Sequence, residues 1–131
     1  MTPTHQVSFL TATPALPVSD QRRAVQFYER VLGFAELQHE GRGLGILRRD
    51  SVEVHLWVAD GSAPGAERRL AGSASCRIEV SGVEDLYAHC ERLGVVHPQA
   101  PLADQEWGTR EFAVLDPDRN QIGLYERAVV R

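Results

Sequence analysis

The amino-acid sequence predicts an α+β fold: two βαβββ modules in tandem, building a curved mixed sheet with the helices on its convex side. Three observations carry that prediction. Val52, Val54, Leu56 and Val58 alternate with Ser51, Glu53, His55 and Trp57, the period-two pattern of a strand with one buried face. Ala24, Phe27, Tyr28, Val31 and Leu32 recur at helical spacing and stop at Gly33. The two halves also correspond: Val18-Ser-Asp20 with Phe27-Tyr-Glu-Arg-Val-Leu-Gly33 mirrors Val80-Ser-Gly82 with Leu86-Tyr-Ala-His-Cys-Glu-Arg-Leu-Gly94.

The elements follow in order. Thr11 to Val18 reads as the first strand, with Ser19 or Asp20 as the N-cap of the first helix. Phe34 to Gln38 and Leu44 to Arg48 read as short strands joined through the permissive Glu40-Gly-Arg-Gly43, and Ser51 to Val58 as the clearest strand. Asp60 to Ser73, rich in Gly, Ala, Pro and Arg without a period, is the connector. Ser75 to Val80 starts the second half as a strand. Ser81-Gly-Val-Glu-Asp85 opens a helix carrying Leu86, Tyr87, Cys90 and Leu93, which Gly94 ends. Arg110 to Leu115 and Gln121 to Tyr125 are strands around the turn Asp116-Pro-Asp-Arg-Asn120. In that turn Pro117 presets φ, Asp116 caps through its side chain and Asn120 tolerates a left-handed backbone. The expectation is one domain over residues 1–131, with module one at about 11–58, the connector at about 59–73 and module two at about 74–126.

Composition narrows the function. With 131 residues and 43% hydrophobic content, the chain can bury a substantial core. A net charge of −4 argues against nucleic acid, whose binders carry a basic stripe, and is mildly compatible with a cationic ligand. No apolar run approaches the roughly 20 residues of a membrane span, and Met1 to Leu10 lacks the pattern of a signal peptide, so the expected location is the cytoplasm. Cys76 and Cys90 fall on different elements and read as small buried hydrophobes; a reducing compartment does not favour a disulfide between them.

Pro17-Val-Ser-Asp20, Phe27-Tyr-Glu-Arg-Val-Leu-Gly-Phe34, Arg48-Arg-Asp-Ser-Val-Glu-Val-His-Leu56 and Trp107-Gly-Thr-Arg-Glu-Phe-Ala-Val-Leu-Asp-Pro-Asp-Arg-Asn120 together resemble the vicinal-oxygen-chelate superfamily of glyoxalases, extradiol dioxygenases and bleomycin-resistance proteins. Leu86-Tyr-Ala88 and the Trp-Gly-x-Arg-Glu-Phe-Ala run draw the likeness toward the bleomycin-resistance branch. The resemblance implies a homodimer, with exchanged N-terminal strands in that branch and clefts at the subunit interface; the segment Thr2 to Leu10 would suit such an exchange. It also places four metal-ligand positions at Thr13, His55, Ser75 and Gly123, of which only His55 is a good donor. No cofactor and no metal site are therefore expected.

Alternation identifies the concave face. If Val54, Leu56 and Val58 face the helices, then Glu53, His55 and Trp57 face the cup; likewise Cys76, Ile78 and Val80 pack inward while Ser75, Arg77 and Glu79 face it. Ile122 and Leu124 point to the core, leaving Gly123 and Tyr125 at a cleft open above Gly123, with Glu111 and Ala113 as neighbours. Trp107 and Trp57 are candidates for stacking on a flat ligand, and the resemblance places Trp107 beside the antibiotic. Gln38 and Leu44, with Arg77, stand where that branch carries further aromatics. His55 reads as a hydrogen-bonded neutral histidine or a ligand contact, against a metal site with Glu53 or Glu79, or a general base. Glu53, Arg77 and Glu79 either pair with one another or leave net negative potential for a cationic group. The expected function is metal-independent sequestration of a bulky, partly cationic small molecule such as a bleomycin-type antibiotic. The alternatives are a metal-dependent lyase, isomerase or dioxygenase with an altered site, and a metabolite-binding module.

Overall fold

The computed structural model describes residues 6–39 and 44–128, and the side chains of Gln38 and His39 lie outside that description. The expected glycine-rich turn at 40–43 and the first residues of the N-terminal segment are likewise outside it. The elements are β1 (Ala15–Val18), α1 (Gln21–Leu32), β2 (Ala35–His39), β3 (Leu44–Arg49), β4 (Val52–Val58), β5 (Ser75–Glu79), α2 (Val83–Arg92), β6 (Ala103–Asp104), β7 (Thr109–Leu115) and β8 (Gln121–Arg127). The strands form two four-stranded sheets, ordered β1-β4-β3-β2 and β5-β8-β7-β6. In each, the first strand runs parallel to the last and the other pairs are antiparallel. The internal repeat of the sequence is thus a repeat of topology.

Local chemistry sets the helix limits. Asp20 is the N-cap of α1: its side chain accepts from the Arg23 N–H at 3.1 Å, as a capping carboxylate does for an otherwise unpaired donor. Gly33 ends the helix at φ 72°, where its N–H reaches Glu29 O and the Phe34 N–H reaches Tyr28 O. Arg49 then donates to Leu32 O at 2.8 Å, placing a cation on the carbonyl end of α1. The start of α2 is solved differently. Gly82 has φ 84° and no side chain to cap with, so Glu126 of β8 accepts from both the Gly82 and Val83 N–H groups, at 3.1 and 3.0 Å. Three details shift: the first strand begins at Ala15 rather than Thr11, Leu93 is exposed beyond the end of α2, and the strand that the βαβββ repeat requires after α2 is the two-residue β6, to which no residues had been assigned.

The buried faces match the alternation. Val54, Leu56, Ile78, Ile122 and Leu124 are buried with Leu16, Val18, Tyr28 and Leu32 in one cluster spanning both halves. Cys76 packs against it, Cys90 lies within it, and both are free thiols.

The Asp116–Asn120 turn joins the halves. Asp116 Oδ1 accepts from the Asp118 and Asn120 N–H groups at 2.9 and 2.8 Å, as its expected capping role requires. The left-handed residue is Arg119, at φ 76°, and not Asn120. Asn120 is fully buried: its Nδ2 donates to Pro17 O (2.8 Å) and Asp116 Oδ2 (2.9 Å), and its Oδ1 accepts from Ala74 N–H (3.1 Å). The Tyr28 hydroxyl donates to Asp116 Oδ2 at 2.8 Å, and Asp118 accepts from the Ser19 N–H and hydroxyl. Burial and the adjoining Asp116 push the Tyr28 hydroxyl far above its ordinary range, so it stays a proton donor. Gly72 donates to Pro17 O, and a Cβ on it would sit 1.8 Å from Asp118 O, so only glycine fits.

Candidate functional site

Two faces carry the candidate residues. On the first sheet, Glu53, His55 and Trp57 are half-buried on the side of β4 opposite Val54 and Leu56. Cross-strand register sets Arg48 beside Glu53, Ile46 beside His55 and Leu44 beside Trp57. Glu53 accepts from Arg48 at 2.9 Å and from His55 Nε2 at 2.7 Å. Those bonds, Arg48 first, hold its carboxyl below the ordinary value. Gln38 pairs with Ile46 through its backbone. The carboxylate thus has its own cation nearby, which the expected network with Arg77 and Glu79 did not include.

On the second sheet, Arg77 Nη2 donates to Glu111 Oε2 at 2.6 Å while its guanidinium carbon lies 4.2 Å from the centre of the Tyr125 ring. Arg127 lies over the same ring at 5.8 Å and donates to Glu79 at 2.9 Å. Trp107 is 66% exposed before β7, with its indole N–H on Glu111 Oε2 at 3.2 Å. Glu111 also accepts from the Thr109 hydroxyl. Burial pulls this carboxyl upward, but the bonds from Thr109, Trp107 and Arg77 prevail and hold it below the ordinary range. The cleft at Gly123 is narrowed by Arg77. Arg77 is the register partner of Gly123, and a Cβ on Gly123 would come within 3.2 Å of Arg77 Cγ, so the glycine makes room for the arginine stem. A cleft of about 370 Å³ lies here, lined by Ser75, Arg77, Gln99, Gln105, Glu111 and Gly123 among others.

Among the described residues, the hydrogen bonds and ion pairs of each face stay within its own sheet and the loop before it. The halves meet elsewhere, through Tyr28, the Asp116–Asn120 turn and a bond from His89 of α2 to Val31 O at the end of α1. The candidate residues therefore fall on two separate faces and not in one cup, with His55 and Trp57 on one and Arg77, Trp107 and Tyr125 on the other. Larger clefts, of about 760 Å³ between the halves and about 600 Å³ beside the start of α2, contain none of the two tryptophans, Glu53, His55 or Tyr125.

A family model described as the Glyoxalase/Bleomycin resistance protein/Dioxygenase superfamily matches residues 9–124. The chain belongs to this superfamily. A bleomycin resistance protein of Geobacillus stearothermophilus is 42% identical over 129 residues, covering 90% of this chain and 97% of the relative. The solved structure of a bleomycin resistance determinant encoded on the transposon Tn5 superposes with a TM-score of 0.73 at 26% identity, covering 92% of this chain and all of the other. The bleomycin-binding protein of Streptomyces verticillus, complexed with copper(II)-bleomycin, superposes with a TM-score of 0.71 at 26% identity, covering 95% and 99%. The glyoxalase-like α+β architecture is thus shared with bleomycin-binding relatives.

Superfamily enzymes hold a divalent ion, and the donor set here does not fit one. Thr13 lies outside β1, Ser75 is a neutral donor, and Gly123 is crossed by Arg77. His55 gives its Nε2–H to Glu53. Among the described residues no group of three or more His, Cys, Asp or Glu side chains could hold a metal ion. Nor is any helix among them long and apolar enough to cross a membrane. Arg48, Thr109 and Arg127 were not among the residues expected from the sequence, and Glu111 was expected only as a neighbour. The signal lay in cross-strand register, which becomes readable once β3–β4 and β7–β8 are aligned.

Proposed function

We propose that this protein binds a bleomycin-type antibiotic and acts by sequestration, in a cup that two copies of the chain complete. The observation that carries the reading is the separation of two half-sites, each with one tryptophan beside prearranged charged side chains. A second copy that sets one chain's first sheet against the other's second sheet encloses a bulky ligand between them. Trp107 and Trp57 then supply stacking surfaces, Tyr125 under Arg77 supplies a flat cationic platform, and Glu53 with Glu111 supplies acceptors for a cationic ligand. His55, Leu44 and Gln38 complete the lining in this reading. Binding withholds the drug from its target, and no bond is made or broken. The 42% identity to a bleomycin resistance protein across nearly the whole chain supports it. Localisation in the cytoplasm, where such a drug must be intercepted, belongs to the same proposal.

Titration calorimetry with metal-free and copper-loaded bleomycin, alongside the sedimentation mass of the protein, tests it. The expected result is saturable binding of both forms to a dimer. At a ligand concentration about 100-fold above Kd, mass action stabilises the fold by about 2.7 kcal/mol, so a thermal shift accompanies binding. Absence of both heat and thermal shift would overturn the proposal.

A further inference from the structure

The second half-site contains a residue whose geometry exceeds a neighbour's role. Glu111 lies on β7 opposite Tyr125, and its side chain is 17% exposed at the wall of the 370 Å³ cleft. Three donors from three places converge on one of its oxygens, Oε2: the Arg77 guanidinium from β5, the Trp107 indole from the preceding loop, and the Thr109 hydroxyl from the start of its own strand. Among the described residues no hydrogen bond reaches Oε1. Trp107 has no comparable support: it is 66% exposed, and the indole N–H on Glu111 is its single side-chain hydrogen bond among the described residues. The Arg77 guanidinium is pulled by the same oxygen onto the Tyr125 ring.

We infer that Glu111 is the positioning residue of this half-site: through Oε2 it locks the Trp107 ring and the Arg77–Tyr125 stack into one preformed platform, and it presents Oε1 to an amide or amine N–H of the ligand. A free indole on a loop loses rotamer freedom when a ligand covers it; one already tied to a carboxylate loses less, which converts the same contact area into tighter binding. The ligand part of this inference rests on the antibiotic-binding proposal, whereas the platform itself does not.

The test separates the two. In a proton–nitrogen correlation spectrum the two tryptophan indoles give two signals, and Trp107→Ala identifies which belongs to Trp107. The other charged groups around Glu111 are Arg77 and Glu79 on β5, Arg127 on β8 beside Tyr125, and Asp104 on β6, which is paired with Arg110. Of the groups bonded to Glu111 none ionises in the acid range, so an acid titration of the Trp107 indole reports Glu111. The expected result without ligand is a Trp107 indole signal that titrates in the wild type and is displaced and flat in Glu111→Gln. With metal-free bleomycin, Glu111→Gln is expected to bind roughly tenfold more weakly, the effect of one held ring set free and one charge-assisted bond lost. Trp107→Phe, which keeps a ring but removes the N–H in an exposed loop, is expected to lose several-fold, and it serves should Glu111→Gln not fold. A Trp107 indole indifferent to Glu111→Gln overturns the inference. So does wild-type affinity in both Glu111→Gln and Trp107→Phe. An indole that titrates as expected in a protein with no affinity for bleomycin supports the platform and overturns the proposed ligand instead.

Discussion

Asn120→Ala is the sharpest test of how the two halves are held. The side chain is fully buried and makes three hydrogen bonds, to Pro17 O, Asp116 Oδ2 and Ala74 N–H. Two of those partners keep other company after truncation: Pro17 O still accepts from Gly72, and Asp116 Oδ2 still accepts from Tyr28. The Ala74 N–H loses its acceptor, and an orphaned buried donor costs about 1–3 kcal/mol. The two other lost bonds add about 0.5–1.5 kcal/mol each, and the vacated volume contributes further. The expected loss is about 4 kcal/mol, a large part of the roughly 5–15 kcal/mol that holds such a domain. Urea unfolding at fixed protein concentration, followed by tryptophan emission, measures it as a lower midpoint at unchanged slope. Asn120→Asp is expected to be worse despite its matching shape. It replaces the Nδ2 donor with an acceptor 2.9 Å from Asp116 Oδ2 and facing Pro17 O. A loss below about 1 kcal/mol for Asn120→Ala, or an Asn120→Asp more stable than Asn120→Ala, would refute this account of the junction.

Trp107→Ala is expected to leave the melting temperature nearly unchanged, because the ring is mostly exposed, while weakening bleomycin binding about tenfold or more; calorimetry and a thermal melt on one sample check both. Gly72→Ala forces a Cβ onto Asp118 O at φ 82° and is expected to cost more than about 3 kcal/mol, seen as loss of soluble folded protein. The Glu111 carboxyl ionises more readily folded than unfolded, so it stabilises the fold above its ordinary value near 4.5 and loses that contribution as pH falls through its lower folded value. The stability gap between wild type and Glu111→Gln is therefore expected to be constant above about pH 5.5 and to close on acidification, as urea midpoints across that range will register. Glu126→Gln weakens acceptance from Gly82 and Val83 and is expected to destabilise by about 1 kcal/mol, with faster amide exchange at the first turn of α2.

The parts of the fold legible in the sequence are those governed by neighbours along the chain. Asp20 and Gly33 delimit α1 because a carboxylate cap and a left-handed glycine act within four residues. The faces of β4, β5 and β8 follow from period-two alternation alone. The site was less legible. Alternation put Glu53, His55 and Trp57 in one cup with Arg77 and Tyr125, whereas they lie on two sheets, and Glu53 was assigned partners on the other sheet when its cation, Arg48, sits opposite it on β3. Pairing depends on register, and register depends on turn lengths that composition does not specify. Arg119 took the left-handed position expected of Asn120 because burial committed the Asn120 amide to three bonds.

Sequence by itself determined the repeat, the caps of α1 and the inward faces, because each is a property of residue type and short-range spacing. Tertiary structure decided which charges meet, that Glu126 caps a helix 43 residues before it, that Arg77 leans over Gly123, and that the candidate residues fall on two separate sheets. The physical reason is the same throughout: hydrogen bonds and ion pairs are short-ranged in space, and only the folded chain brings distant residues within their reach.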